Sequence, residues 1–129
     1  MGRRLRYLLL AILTILVGLP VHQYGLGFGP AARDMLGDVL WATMIVWWVS
    51  VLAPQRSLAI RAAVALAICF AVEFSQLLHA PWLDALRATL PGHLVLGSDF
   101  HPRDLLAYSG GVLLAAAIDR ILSGRLQAR

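Results

Sequence analysis

The sequence has no lysine, a single cysteine and few charges of either sign. Only 14% of its 129 residues are charged and 60% are apolar, against about 25% and about 45–50% in an ordinary soluble domain. So little charge excludes a disordered tail and argues against a soluble globular domain. The length holds one compact unit, residues 1–129, and no second domain. The lone Cys69 excludes an internal disulfide and a cysteine-based metal motif. Lying inside an apolar run, it reads as a small buried filler. All 11 basic residues are Arg, which reads as coding bias. They form no basic stripe interleaved with aromatics, so a nucleic-acid binder is not expected despite a pI near 10.2. There is no linker, repeat or low-complexity segment.

Four apolar stretches remain, Leu5–Leu19, Met35–Ala53, Leu58–Leu78 and Leu105–Leu122. About 20 residues of helix cross a hydrocarbon layer of roughly 30 Å. Backbone groups in lipid must bond within their own segment, so the stretches are read as helices. The first and fourth are slightly short and need flanking residues or a thinner bilayer. The expected fold is an all-α membrane protein: four transmembrane helices, with a short interfacial helix between the third and fourth. The basic start (Arg3, Arg4, Arg6) would suit a signal peptide. No small-x-small cleavage pattern follows, and a retained helix is expected.

Arginine placement sets the expected orientation. Arg3, Arg4, Arg6, Arg56, Arg61, Arg120, Arg125 and Arg129 fall on one side of four spans, and Arg33, Arg87 and Arg103 on the other. Both termini are therefore expected on the cytoplasmic side of a membrane that the chain crosses several times. The loops Pro20–Asp34 and His79–Arg103 face outward. Of the acids, only Asp119 lies near the inner face, and the inner half of the spans reads as nearly uncharged. Pro54-Gln55-Arg56 reads as a tight turn. Pro81–Leu90 reads as a helix lying in the interface, with Leu83, Leu86 and Leu90 on one face and Trp82 at headgroup depth. Gly92–Gly97, apolar between two glycines, dips back toward the bundle. Pro102 opens the last span.

The outer half carries the residues that need partners. Asp34 and Asp38 share a face, as do Glu73 and Gln76. A carboxylate within a span is costly and turns inward to find a partner. The expected partners are Arg33, Arg87 and Arg103. One reading of Arg33, Asp38, Glu73, Gln76, Arg87, Arg103 and Asp104 is a network that pins helices and loop. The other is a ligand site, in which arginines clamp an anionic headgroup through two oxygens at once. His79, His93 and His101 lie near acids, but no pair has the spacing of a helical zinc motif, and no metal is expected. The aromatics Trp41, Trp47, Trp48, Phe70 and Phe74 read as packing and lipid contacts, with no cofactor implied. Ser109, Gly110 and Gly111 read as a small-residue surface that lets another helix approach.

The strings Arg33-Asp34…Gly37-Asp38, Glu73-Phe74-Ser75-Gln76, Ala80–Thr89, Gly92–Ser98 and Asp104–Tyr108 resemble a bacterial membrane family, domain of unknown function 2809, over nearly the whole chain. The resemblance implies this fold and topology and no activity. A more distant similarity is to VanZ-like envelope proteins. There Glu73 and Gln76 match a Glu-x-x-Gln, Arg87 the following Arg, and Asp104 and Gly111 the last span, but Tyr108 stands where that pattern has Asn. VanZ-like proteins are linked to teicoplanin resistance, which would come to this chain by fold analogy alone.

Four functions are open. The first is handling of an anionic envelope lipid, such as a polyprenyl phosphate, at the outer face. The second is a structural or assembly factor in which the polar cluster is glue. A proton-coupled transporter subunit and a lipid-phosphate enzyme rank behind these. No polar route crosses the inner half, and no nucleophile motif is present.

Overall fold

The computed structural model describes every residue except Leu26, Phe28 and Ser98, the last of which closes one of the strings above. It contains α1 (Arg3–Tyr24), α2 (Pro30–Leu52), α3 (Leu58–Ser75), α4 (Pro81–Ala88), α5 (Leu90–Leu96) and α6 (Pro102–Gln127), with no strand among the described residues. α1, α2, α3 and α6 are long and apolar enough to cross a membrane. This is an all-α membrane protein. Its outward faces carry bare Leu13, Leu16, Leu52, Leu106, Leu113 and Ile121, which lipid rather than water covers.

Several boundaries differ from those expected. The first helix runs through Pro20 to Tyr24 instead of ending at Leu19. Pro20 has no amide to donate to Leu16, but its own carbonyl still accepts, so one bond is lost and the turn continues. α3 ends at Ser75, and Gln76 forms its C-cap. The expected interfacial helix Pro81–Leu90 ends at Ala88, and the segment read as dipping back is itself a short helix, α5. Pro91 has no N–H to continue the ladder, and Thr89 breaks into extended geometry (φ −77°, ψ 152°) and accepts a hydrogen bond from the Gly92 N–H. Leu83 of that segment is buried, whereas Trp82, Leu86 and Leu90 are exposed. α5 then returns to the bundle, where the Gln76 amide donates to the Leu96 carbonyl at 2.9 Å. Gly97 makes this possible, because its φ is +65° and a Cβ there would collide with the Gln76 amide.

α2 is the axis of the bundle. It packs against α1 on one side and against α3 and α6 on the other, and the backbone of α1 approaches no other helix. The buried residues are mostly small: Ala11, Ala42, Ala65, Ala107, Ala115 and Cys69 surround Tyr7, Val46, Trp47 and Tyr108. Lipid tails are as apolar as leucine, so helices in a membrane gain from close approach rather than from hiding leucines. Gly111 is the tightest point. A Cβ there would meet the Val39 carbonyl oxygen and the Ala42 methyl, and the Thr43 hydroxyl bridges the Val39 and Gly111 carbonyls at 2.9 and 3.0 Å. Gly110 faces open space, so the expected small-residue surface comes down to one glycine.

The end of the bundle that bears both termini corrects one expectation. Its interior is not uncharged. Arg61, only 5% exposed, donates to Asp119 at 3.0 Å, to the Ser50 hydroxyl at 2.7 Å and to the Arg56 carbonyl at 3.1 Å. The Tyr7 hydroxyl donates to the other Asp119 oxygen at 2.9 Å and accepts from Arg6 at 3.0 Å. Both guanidiniums lie over the Tyr7 ring, an added attraction between cation and ring. Arg61, which reads in the sequence as a positive-side marker, is turned inward because Asp119 on α6 offers it a buried counter-charge.

Gly111→Val should overpack the α2–α6 contact and cost about 1–3 kcal/mol, while Gly110→Val should cost little. Unfolding of the two variants in mild detergent measures the difference. Asp119→Asn leaves Arg61 buried beside a neutral amide, and breaking such a pair costs about 3–5 kcal/mol. The double variant Asp119→Leu/Arg61→Met should recover most of that loss in the same assay.

Candidate functional site

At the other end, where α4 and α5 lie, the helices separate around a cavity of about 440 Å³. One wall is apolar, from Ile15, Gly18 and Leu19 of α1 and Leu40, Trp41 and Met44 of α2. Along α2 the lining runs from Asp34 to Met44, roughly 15 Å at 1.5 Å per residue. The polar side comes from Asp34 and Asp38 of α2, Gln76 at the end of α3, and Arg103, Asp104 and Tyr108 of α6. His22, His93, Asp99 and His101 stand around the mouth.

Five of the sequence-predicted residues meet here. Asp38 and Asp104 lie within hydrogen-bonding reach of each other, and the other charged groups acting on Asp38 are Glu73 and Asp34. Arg103 spans the rim, 4.0 Å from Asp34 and 3.8 Å from Asp104. Gln76 is 5% exposed. Its amide nitrogen is committed to Leu96, and its carbonyl oxygen is buried without a donor. Glu73 lies directly behind and is fully buried. Its two oxygens accept from the His101 backbone N–H at 2.8 Å and the Tyr108 hydroxyl at 2.9 Å.

The arginine partners differ from those expected. Glu73 is held by a tyrosine and a backbone amide rather than by a guanidinium. Arg87 is turned away from the cavity. It donates to the Ser75 and Leu78 carbonyls at 2.6 and 2.8 Å and to Asp84 at 3.3 Å. The Ser75 carbonyl ends α3 and the Leu78 carbonyl lies in the turn after it, where a cation is also favoured by the helix dipole. Arg33 lies 3.7 Å from Asp34 on the surface and does not line the cavity. His79 pairs with Asp84 at 3.6 Å. Among the described residues no three His, Cys, Asp or Glu side chains are grouped as a metal site.

The sequence reading missed Tyr108, which serves the site twice. It supplies a donor to Glu73, and its ring packs on Trp41 at 5.6 Å. The usable signal was its spacing, four residues after Asp104 and so on the same face of α6. The α1 wall had no signal, since Ile15, Gly18 and Leu19 are ordinary span residues.

The fold and the polar cavity define a small helical integral membrane protein with a charged chamber at one end. The family described as "Protein of unknown function (DUF2809)" matches residues 29–112, and the chain belongs to that family. The match takes in α2 through the first three turns of α6 and every polar residue just placed except His22. No solved structure matches the chain.

Arg87→Gln should strip the Ser75 and Leu78 carbonyls of their charged donor and cost about 1.5–3 kcal/mol. Arg87→Lys should restore only part, because a single ammonium lacks the planar fork that reaches separate acceptors. Thermal unfolding of both variants in detergent checks the order.

Proposed function

We propose that this protein holds the polar head of a membrane lipid in its charged chamber. The chamber end would face outward from a bacterial inner membrane and both termini would lie in the cytoplasm. The observation that carries the reading is the form of the cavity, a charged side at headgroup depth joined to an apolar wall within the spans. Its volume lies within the range of ordinary ligand sites, about 300–1,000 Å³. Arg103, half exposed at the rim, suits the phosphate of an anionic lipid, a polyprenyl phosphate included. Asp34 and Asp104 orient that guanidinium. The asymmetry of arginines between the two ends supports the orientation.

A structural or assembly role is the second reading, and Glu73 and Arg87 favour it. Glu73 ties α3 to His101 and α6, and Arg87 ties α4 to the end of α3 and the turn after it. Transport is disfavoured by the layer between the two polar ends. Val46, Trp47, Ala65, Cys69 and Ala115 fill it at 1% exposure or less and leave no polar path. Catalysis has no identified nucleophile to support it.

Native mass spectrometry of the protein in mild detergent tests the lipid reading. A retained lipid is expected, with its occupancy reduced severalfold in Arg103→Gln. A stable, lipid-free protein would transfer the cluster to the structural reading.

A further inference from the structure

We infer that the headgroup taken by the chamber carries a protonated primary amine beside its phosphate, the amine resting on Asp38 and Asp104 and the phosphate on Arg103. The inference rests on the lipid reading above and adds the ligand's chemistry to it.

Asp38, Asp104 and Gln76 line the chamber as acceptors, and the one guanidinium among the described residues of its lining, Arg103, is half exposed. The charged groups acting on Asp38 are all acids: Asp104, Glu73 and Asp34. Glu73 has spent both oxygens on His101 and Tyr108. Arg33 and Arg103 stay at the surface end, against Asp34 and Asp104. An acid inside a span needs a cation or a donor, and the side chain within hydrogen-bonding reach of Asp38 is another acid, Asp104, with no cation among the charged groups acting on it. Gln76 makes the same demand independently. Leu96 fixes its amide orientation, so the buried free end is the carbonyl, which can only accept. A buried acceptor without a donor costs roughly 1–3 kcal/mol.

The donor that fits is an ammonium with N–H groups to give. A primary ammonium has three, enough for two carboxylates and an amide carbonyl. A quaternary ammonium has none and would leave Gln76 unsatisfied. A metal ion is a poorer fit, since among the described residues no three ligating side chains are grouped to hold one. Arg103 adjoins Asp104 in the chain, so a phosphate on one and an amine on the other belong to a single small headgroup. The two joined by an ethanolamine bridge have that form.

The test uses the whole protein in mild detergent, titrated with phosphatidylethanolamine, phosphatidylcholine and phosphatidylglycerol and read by native mass spectrometry. The ethanolamine lipid should bind about tenfold or more tightly than either of the others. Asp38→Asn should remove most of that preference while phosphatidylglycerol binding holds. Asp104→Asn should act in the same direction, and Arg103→Gln should weaken both lipids. The wild-type comparison stands even if a variant fails to fold. Phosphatidylglycerol or phosphatidylcholine binding as tightly as the ethanolamine lipid would overturn the amine and leave the lipid reading in place. No binding of any of the three above the detergent background would overturn both.

Discussion

The close approach of α2 and α6 at Gly111 is the contact on which the rest depends. One missing side chain lets the two backbones come near enough for the Thr43 hydroxyl to reach a carbonyl on each. Asp38 lies about one turn from Thr43 on α2, and Asp104 about two turns from Gly111 on α6. The packing of the helices therefore decides that these two acids meet. Neither could be placed beside the other by local sequence, and neither would tolerate the neighbour if the helices were free to separate. The cavity lies at the chamber end between α1, α2 and α6, with the α1 backbone packed on α2 and not on α6.

The bundle has two charged ends that obey different rules. At the terminal end each acidic oxygen of Asp119 has its donor, and Arg61 reaches Ser50 and Arg56 besides. Apart from the Arg6 Nε, which has no partner, that cluster is satisfied, and its work is to hold α1, α2, α3 and α6 together. At the chamber end the deepest acid, Glu73, is satisfied in the same way, but the layer in front of it is not. A chain under pressure only to hold its helices would be expected to complete that layer as well.

Much of this was legible in the sequence, and the reasons divide by type. The four spans were plain because lipid demands long apolar helices, and their ends moved only where caps and prolines decided them. Asp38, Gln76, Arg103 and Asp104 were legible as a group because polar residues near the ends of spans are costly enough to stand out. Their partners were not. Arg87 was expected to pair with the span carboxylates, yet the end of α3 and the turn after it capture it. Glu73 was expected beside an arginine and is held by Tyr108. Asp119 reads as a lone acid until Arg61 is seen to turn inward. Each of these depends on which helix faces which, and helical periodicity in a uniformly apolar span carries little of that information.

Pro20 has one further consequence. The turn of α1 that carries His22 to the cavity mouth follows the proline, where one rung of the hydrogen-bond ladder is missing. A helix bends at least cost where such a rung is absent. The part of α1 that lines the chamber at His22 thus lies past the missing rung, while Tyr7 at the other end of the helix is anchored to Asp119.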